Sequence, residues 1–455
     1  MSNLEVLYSW IPEVASPKTP PSLKEKLMWT GLVLLAFFIL GYVRPWGVSP
    51  QAQQTLSFLN TVLASQIGSL ITAGIGPIVL AAIILQLIVG SGMWDIDLSS
   101  PQGKAEFMGM QKFLAIILAF FEAYVFTKSY LVPVPGYEWL VILQVAFGSI
   151  LLMYLDEVVM KWGIGSGISL FIAAGVSKRI FVRAFLPGDG EFWKLLNFLV
   201  SGNIAAAAYP LWLFVATILV FLIVVWFEGV QVEIPITWAR AKGVGGRYPI
   251  KLLYLTNIPV ILAAALFANI VLIGQVSQGT ILEPIFGHYD PQTHQWTSMG
   301  LAYFVTSPYS EQLIKNLVAA AMGTPYPNLG RAIIHAVMYT ILLTITAVFF
   351  GWLWLELSGM GPKQIARQLV QSGFTVPGFR RDPRVVEKVL ERYIPVVAVL
   401  GSAIVGILAA FTDTFGALTS GMGLLLTVDI VYRYYDLLMR EQLLNQYPQL
   451  EKVLG

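Results

Sequence analysis

Long apolar runs separated by shorter polar connections dominate the chain. Ten runs come near the ~20 residues that a helix needs to cross a bilayer, and they lie near residues 27–43, 69–89, 113–130, 138–156, 164–183, 210–228, 252–273, 332–355, 394–411 and 415–435. Residues 301–323 are moderately apolar, but a proline and charged side chains favour a short external or re-entrant segment there. The pattern predicts an all-α integral membrane protein with ten transmembrane helices.

Composition supports a membrane protein and narrows its chemistry. Of the 455 residues, 56% are hydrophobic and only 12% are charged, whereas soluble proteins have about 25% charged residues. The net charge of +2 gives no overall field that would attract nucleic acid. The absence of cysteine excludes disulfides, thiol catalysis and cysteine-bound metal. Residues 1–26 lack the apolar core of a cleavable signal peptide.

The distribution of basic residues indicates the orientation in the membrane. With a cytosolic N-terminus, residues 1–26, the loops near 90–112, 157–163, 229–251 and 356–393, and the C-terminal end share one side. These segments contain most of the 28 lysine and arginine residues, so the positive-inside rule places both termini in the cytosol. Four basic residues on or after the fifth span fall on the opposite side: Lys178, Arg179, Arg183 and Lys194.

The spans divide into two sets of five around a polar linker. Because five is odd, two equivalent halves would cross the membrane in opposite directions, which is the inverted repeat of many transport proteins. The predicted organisation is therefore a cytosolic N-terminal segment, two halves joined by an external linker, and a cytosolic tail. Their bounds are 1–26, 27–183, 184–209, 210–435 and 436–455.

Ionisable side chains are almost absent from the interiors of the predicted spans. Ion-coupled transporters keep charged groups at mid-membrane despite their cost, but here three acidic residues lie toward span ends or beside loops: Glu122, Asp413 and Asp429. The three histidines are too dispersed to form a metal site. The GIGSGIS stretch at 163–169 lacks the spacing and the preceding strand of a nucleotide-binding loop. We therefore expect no catalytic residue, no metal and no cofactor.

The second span begins with Gly-Ile-Gly-Pro at 74–77, which is unusual for a membrane anchor. Glycine and proline cost roughly 1 and 3 kcal/mol in a helix interior, and lipid cannot satisfy the backbone groups that they free. The preceding residues 55–67 are half polar and too short to span. This pattern predicts a short helix inside a cavity, followed by a hinge at Gly74, Gly76 and Pro77.

Glycines also precede closely spaced aliphatic residues in other spans. Small residues let membrane helices approach one another, and residues four apart share one helix face. Composition alone favours lipid-facing aliphatics, whereas the glycine clusters favour contacts inside a bundle. The residues in question are Ile75 and Val79, Ile168 and Ile172 after three glycines at 163–167, and Leu424–Leu426 after Gly421 and Gly423.

Two basic cytosolic loops stand out from the others. Loop 229–251 alternates apolar and polar residues in VQVEIPI and then turns through glycines, a pattern that predicts strands in an ordered, protruding arm. Loop 356–393 contains seven lysine and arginine residues. Topology alone could account for this charge, so an ordered protruding arm is one of two interpretations.

Six stretches of the chain resemble the SecY family, the channel-forming subunits of the general protein translocon, in its archaeal or eukaryote-like branch. The resemblance covers nearly the whole chain and keeps the order of the motifs. These are GIGPIV (74–79), ILQLIVGSG (84–92), GIGSGISLFIAAG (163–175), GRYPIKLLYLTNIPVILAAALFAN (246–269), VPGFRRDPR (376–384) and GLLLTVDIVYR (423–433).

The resemblance implies a central pore between the two halves. Residues 55–67 would form a plug, and a ring of aliphatic side chains would close the pore, since hydrophobic constrictions exclude water and ions. The ring would consist of Ile75, Val79, Ile168, Ile172, Ile261 and Leu426, with Ile258 as a competing choice for the seventh span. A lateral gate would run between the second and third spans and the seventh and eighth, with Leu80, Asn257 and Asn269 as members. The asparagines could equally form ordinary hydrogen bonds between helices.

The resemblance also implies partners. Both basic loops would dock the ribosome, whose phosphates attract arginine and lysine, through Arg240, Lys242, Arg247, Arg380 and Arg381. The driving force would come from the ribosome or a cytosolic motor. A SecE- or gamma-type single-span subunit and a small beta-type subunit would complete a heterotrimer in the cell membrane. Signal sequences, nascent polypeptides and lipid are the other expected contacts. The alternatives are an inverted-repeat secondary transporter of a small solute and a purely structural membrane scaffold.

Overall fold

The structure is a computed structural model of the chain. It describes residues 10–48, 66, 68–94, 96, 100–129, 131, 133–238, 245–253, 255, 258–290, 295–308, 313–314, 317, 320, 329–357, 360–371, 374–375 and 382–446.

Helices make up most of the described residues. In chain order they are α1 (Leu23–Tyr42), α2 (Gly76–Gly90), α3 (Pro101–Ser129), α4 (Glu138–Trp162), α5 (Gly167–Phe185), α6 (Glu191–Val200), α7 (Ile204–Gly229), α8 (Ile258–Val276), α9 (Glu283–Phe286), α10 (Leu301–Val305), α11 (Leu329–Leu357), α12 (Pro362–Gln371), α13 (Pro383–Phe415) and α14 (Gly421–Gln446). Within these described ranges, ten helices have 15 or more residues, and each overlaps one predicted span. The predicted class, an all-α protein with ten membrane helices, is confirmed.

Five of these helices are long and apolar enough to cross a membrane by length and composition alone. They contain the segments Gln102–Lys128, Glu138–Trp162, Ile204–Gly229, Leu329–Leu355 and Arg384–Phe415. The apolar segments of α2 and α8 are shorter, at Gly76–Val89 and Ile258–Phe267.

The chain forms two compact units, and the boundaries between them fall within α5 and α14. The first unit contains residues 1–178 and 430–455. In it α3 packs between α2 and α4, and α1 packs on α4. Small and β-branched side chains fill the contact between α3 and α4, where Ala123, Val141, Val145 and Ala146 are buried together with Ala73. Such small residues allow close helix approach in membranes.

The N-terminal segment is fixed to one end of the first unit by ionic contacts. Glu157 on α4 is almost fully buried and lies 3.0 Å from the Lys112 Nζ and 2.8 Å from the Lys161 Nζ. The same two lysines contact Glu13. Ser22 caps α1, and Glu25 completes the reciprocal capping box. The first helix therefore begins earlier than its apolar run.

The second unit contains residues 179–429. Helix α11 packs against α13 and α8, and α12 packs against α13. The buried cluster at one end joins β-strands to these helices, with Ile234 and Ile250 packed in the same core as Leu355, Ala366 and Leu390.

Among the described residues of the second unit, five strands form two small antiparallel sheets. They are β1 (Gln231–Trp238), β2 (Gly245–Lys251), β3 (Tyr289–Asp290), β4 (Gln295–Trp296) and β5 (Phe374–Thr375). Strand β1 pairs with β2 in the register Ile234 to Tyr248 and pairs with β5 on its other edge. The predicted strands in loop 229–251 are confirmed, and the sheet joins this loop to loop 356–393.

Several element bounds differ from the sequence prediction. The sequence predicts the second span at 69–89, but its helix begins only at Gly76. Residues 184–209, treated as a linker, include α6 and the start of α7, and loop 356–393 includes α12, β5 and the first turns of α13. Helix α3 begins at Pro101 and α14 continues to Gln446, because polar turns extend both helices beyond their apolar runs.

Candidate functional site

The break in the second span is a compact turn segment before α2, which we call the hinge block (residues 68–75, with Gln66). Gly74 adopts φ +62°, a left-handed conformation that favours glycine. Pro77 lies in the first turn of α2, where its missing N–H costs nothing. The glycine and proline of this motif therefore start the helix instead of interrupting it.

Short-range hydrogen bonds hold the hinge block together. The Ser69 hydroxyl donates to the Gln66 carbonyl at 2.6 Å, and the Thr72 hydroxyl donates to the Ser69 carbonyl at 2.5 Å. The Leu70 N–H donates to the Val43 carbonyl, just beyond the end of α1, at 2.8 Å. These backbone groups are thus satisfied by protein, which lipid could not do.

Close packing against α4 fixes the hinge block from another side. A Cβ atom added at Gly148 would lie 2.0 Å from the Leu70 carbonyl oxygen, so only glycine fits at this position. Ile71, Ala73 and Ile75 are fully buried. The hinge block is therefore packed into the core of the first unit.

Lys178 on α5 reaches the same region. With the Gln66 amide oriented for hydrogen bonding, its oxygen accepts from the Lys178 Nζ at 2.7 Å and its nitrogen donates to the Gly41 carbonyl at 2.6 Å. The Lys178 Nζ also lies 4.0 Å from the centroid of the Tyr42 ring, a cation–π distance. These contacts explain a lysine that violates the positive-inside pattern.

The GIGSGIS stretch is a packed turn that starts α5. The Asp156 carboxylate on α4 accepts a hydrogen bond from the Ile168 N–H at 2.9 Å, which satisfies one of the free donors at a helix start. A Cβ at Gly167 would lie 2.6 Å from the Asp156 Cα. Gly165 adopts φ +71°, and the Tyr434 hydroxyl donates to the Ser166 carbonyl at 2.8 Å. The close-packing interpretation of these glycines is confirmed.

The start of α14 has a comparable buried carboxylate. Asp413, at the end of α13, accepts from the Gly421 N–H at 2.7 Å and from the Tyr339 hydroxyl at 3.0 Å. A Cβ at Gly421 would lie 2.2 Å from the Ala409 carbonyl oxygen. Asp156 and Asp413 therefore play equivalent parts, each fixing the first turn of a helix that starts with glycine.

All of the predicted ring residues lie at helix starts. Ile75 caps α2 and Val79 follows in its first turn. The others fall in the first two turns of α5, α8 and α14: Ile168, Ile172, Ile261 and Leu426. The first unit contains Ile75, Val79, Ile168 and Ile172, and the second contains the other two and the alternative Ile258.

The basic loops form one small body, which we call the loop module (β1, β2, β5, α12 and the first turns of α13). Arg247 is exposed and pairs with Glu233 of the facing strand. Burial against the module core raises the pKa of the Tyr248 phenol. Five further basic side chains are exposed on its helices: Lys363, Arg367, Arg384, Lys388 and Arg392. The other predicted docking residues lie outside the described residues: Arg240, Lys242, Arg380 and Arg381.

The remaining predicted site residues are only partly described. Leu80 is exposed on α2. Asn269 falls on α8, but its side chain lies outside the description, and so does Asn257 entirely. The predicted plug, 55–67, lies outside the described residues except for Gln66.

Sequence reasoning missed the residues that hold the site in shape. Asp156 and Asp413 lie far along the chain from some of their partners, and Lys178 was noted only as an exception to charge topology. Buried carboxylates beside glycine-rich helix starts were the available signal. Among the described residues, no three histidine, aspartate or glutamate side chains are placed to hold a metal ion.

The fold and the site define a helical membrane protein with several spans. Three of its helices, α2, α5 and α14, begin at buried turns whose backbone groups form hydrogen bonds within the protein. A family model described as SecY matches residues 69–435. The protein translocase subunit SecY of Methanocaldococcus jannaschii is 45% identical over 459 residues, which cover 100% of both chains. That of Methanococcus vannielii is 43% identical, covering 100% of this chain and 99% of the relative.

Solved structures agree with these sequence relatives. A structure described as that of a protein conducting channel has a TM-score of 0.81 and 44% identity, covering 98% of this chain and 99% of the other. Sec61 in the canine ribosome–channel complex from the endoplasmic reticulum has a TM-score of 0.78 and 43% identity, with the same coverage. The chain belongs to the SecY family.

Proposed function

We propose that the chain is the central channel subunit of a protein translocon, a passive conduit for unfolded and nascent polypeptides across the membrane and sideways into the bilayer. The observation that supports this best is the second span, whose helix has only 15 residues and follows a docked hinge block. A plain anchor needs about 20. Similarity to protein-conducting channels favours this function over the small-solute transporter.

The ring at the helix starts is the proposed seal. Aliphatic side chains offer no fixed polar partner to a passing chain, and a narrow apolar constriction excludes water. Changing Ile75, Val79 and Ile168 together to Asn should hydrate it and raise the ion conductance of the resting channel in planar bilayers. Ile345→Asn, on the exposed face of α11, is the control. An unchanged closed baseline in the triple variant would reject this seal.

The loop module is the proposed docking surface for the ribosome. Its exposed basic side chains suit RNA phosphates, and each neutralised phosphate releases counterions. Reversing Arg240 and Lys242 to Glu should weaken cosedimentation with ribosomes and flatten its salt dependence. Lys18→Glu, exposed in the N-terminal segment, is the control. Wild-type affinity of the double variant at every salt concentration would exclude this surface.

The seam between the second and seventh spans is the proposed lateral gate. Leu80→Cys with Asn269→Cys should form a disulfide in the closed state, which needs Cα atoms within about 7 Å. The bridge should block insertion of a membrane-protein client, and a longer flexible crosslinker should restore it. Efficient bridging with insertion at the wild-type rate would contradict lateral exit.

The proposed assembly is a heterotrimer in the cell membrane. A SecE- or gamma-type single-span subunit and a small beta-type subunit accompany the chain, and both termini are cytosolic. Signal sequences and nascent chains are the clients, and a ribosome or cytosolic motor drives them. The chain makes and breaks no covalent bond and needs no cofactor.

Purification and reconstitution together test the proposed function. We expect the tagged chain to copurify with a small single-span protein and with ribosomes. Vesicles reconstituted with the purified chain should protect a nascent secretory chain from added protease. A transporter would instead show saturable flux of a small solute. Such flux without protection of nascent chains would overturn the proposal.

A further inference from the structure

Helix α6 presents an apolar side that the described residues of the second unit leave partly exposed. It joins α5 to α7 and has ten residues. At about 100° per residue, its exposed large apolar side chains fall on one side of the helix. These are Phe192, Trp193, Leu196, Leu199 and Val200, with exposed fractions between 36% and 89%. The opposite side, which includes Leu195 and Phe198, is less exposed, and α6 packs against α7.

The orientation of α6 is fixed by contacts with the end of α5. The Trp193 indole N–H donates to the Phe185 carbonyl at 3.1 Å. The Phe185 and Phe192 rings lie 5.8 Å apart, and the Gly190 N–H donates to the Leu186 carbonyl at 2.7 Å. The exposed apolar side is therefore a built surface held against two longer helices.

The surroundings of α6 indicate what covers this side. Phe181 on α5 and Ile204 at the start of α7 are exposed by 66% and 76%, and α7 is one of the long apolar helices that can cross the membrane. Along the chain, the exposed side of α6 is thus flanked by other exposed apolar side chains, one of them on a helix that can cross the membrane. Ten residues span only about 15 Å, so α6 cannot cross the bilayer. Tryptophan favours the boundary between headgroups and acyl chains.

We propose that α6 lies in the plane of the membrane interface, with Leu196, Leu199 and Val200 buried at the boundary between lipid headgroups and acyl chains. The surface it binds is lipid of any headgroup charge. The two charged residues of α6 pair with each other, since the Lys194 Nζ lies 2.9 Å from the Glu191 carboxylate, which is itself buried. Basic interfacial helices depend on anionic lipid, whereas binding by α6 depends on apolar area.

The absence of cysteine allows a direct test by spin labelling. Leu196→Cys, Leu199→Cys and Val200→Cys are made singly in the full chain, purified with its copurifying subunits and placed in phosphatidylcholine vesicles. Nitroxide labels at these positions should collide more often with oxygen than with a water-soluble nickel complex. Asp189→Cys, in the exposed turn before α6, should show the reverse, and Leu195→Cys should be shielded from both.

Two further comparisons make the test decisive. The label depths should stay the same when one fifth of the lipid is replaced by anionic phosphatidylglycerol and when salt is raised tenfold. If the labels enter the membrane only when anionic lipid is present, the proposal that α6 binds lipid of any headgroup charge is overturned. More frequent collisions with the nickel complex than with oxygen at Leu199 and Val200 would place α6 in water. Low collision rates with both reagents at all three positions would show a protein partner there instead of lipid. The test measures no transport, so its outcome is independent of the proposed function.

Discussion

A single added methyl group at Gly148 should displace the hinge block. Alanine there would place its Cβ 2.0 Å from the Leu70 carbonyl oxygen and 2.7 Å from the carbonyl carbon. A carbon and a carbonyl oxygen ordinarily approach no closer than about 3.3 Å. The backbone at Leu70 must therefore retreat by about 1 Å or more, which strains its hydrogen bond to the Val43 carbonyl.

The expected cost follows from two opposing effects. Forcing an extra methyl into a packed site typically costs about 1–3 kcal/mol, while alanine gains about 0.5–1 kcal/mol over glycine within a helix. The difference is a net loss of stability of up to about 2.5 kcal/mol for Gly148→Ala. Because the block leads into α2, its displacement should also raise ion leakage through the resting channel.

Thermal unfolding in detergent and planar-bilayer conductance measure the two effects. Gly175→Ala is the matched control, since nothing lies within 4 Å of a Cβ at that helical position of the same unit. We expect the midpoint to fall by a few degrees for Gly148→Ala and to hold or rise for Gly175→Ala. If the two variants behave alike in both assays, the hinge block is not held by its contact with α4.

Two buried polar contacts should also be measurable by thermal unfolding. Asp156→Ala should lower the stability by about 0.5–2 kcal/mol, the usual range for a lost helix cap, because the Ile168 N–H loses its acceptor. Asp156→Asn should lower it less. Equal losses of stability in the two variants would argue against a capping role. Tyr339→Phe should cost about 0.5–1.5 kcal/mol, the usual net contribution of a hydrogen bond, because Asp413 loses the Tyr339 hydroxyl as a donor. Tyr435→Phe, at an exposed position, should be neutral. Equal midpoints for the two tyrosine variants would count against the buried bond.

The sequence predicts the helices well because each one contains an apolar run, but it predicts their ends poorly. Helix α13 begins at Pro383 with Asp382 as its cap, a signal present in the sequence but hidden by the basic residues around it. Helix α6 was treated as part of a polar linker, although EFWKLLNFLV has helical periodicity. In both cases a polar or charged context outweighed a correct local signal.

The site was predictable where a motif is local and not where it depends on tertiary contacts. Gly74 and Pro77 mark the break before α2 within four residues, so the local motif alone predicts it. The hydrogen bonds that the Ile168 N–H donates to Asp156 and the Tyr339 hydroxyl donates to Asp413 join separate helices. No local sequence pattern indicates that these residues meet. The same limit applies to Lys178, whose partners lie on other parts of the first unit.

Photocrosslinking at the proposed ring tests the central claim most directly. A photoreactive amino acid is placed singly at Ile75, Ile168, Ile261 or Leu426 in vesicles that hold an arrested secretory nascent chain, with Ile345 on the exposed face of α11 as the control position. A translocating polypeptide must pass the constriction, so all four ring positions should crosslink to it, whereas Ile345 should not. Protection of the nascent chain from protease without crosslinks at the ring, or with equal crosslinks at Ile345, would contradict a pore sealed by these residues.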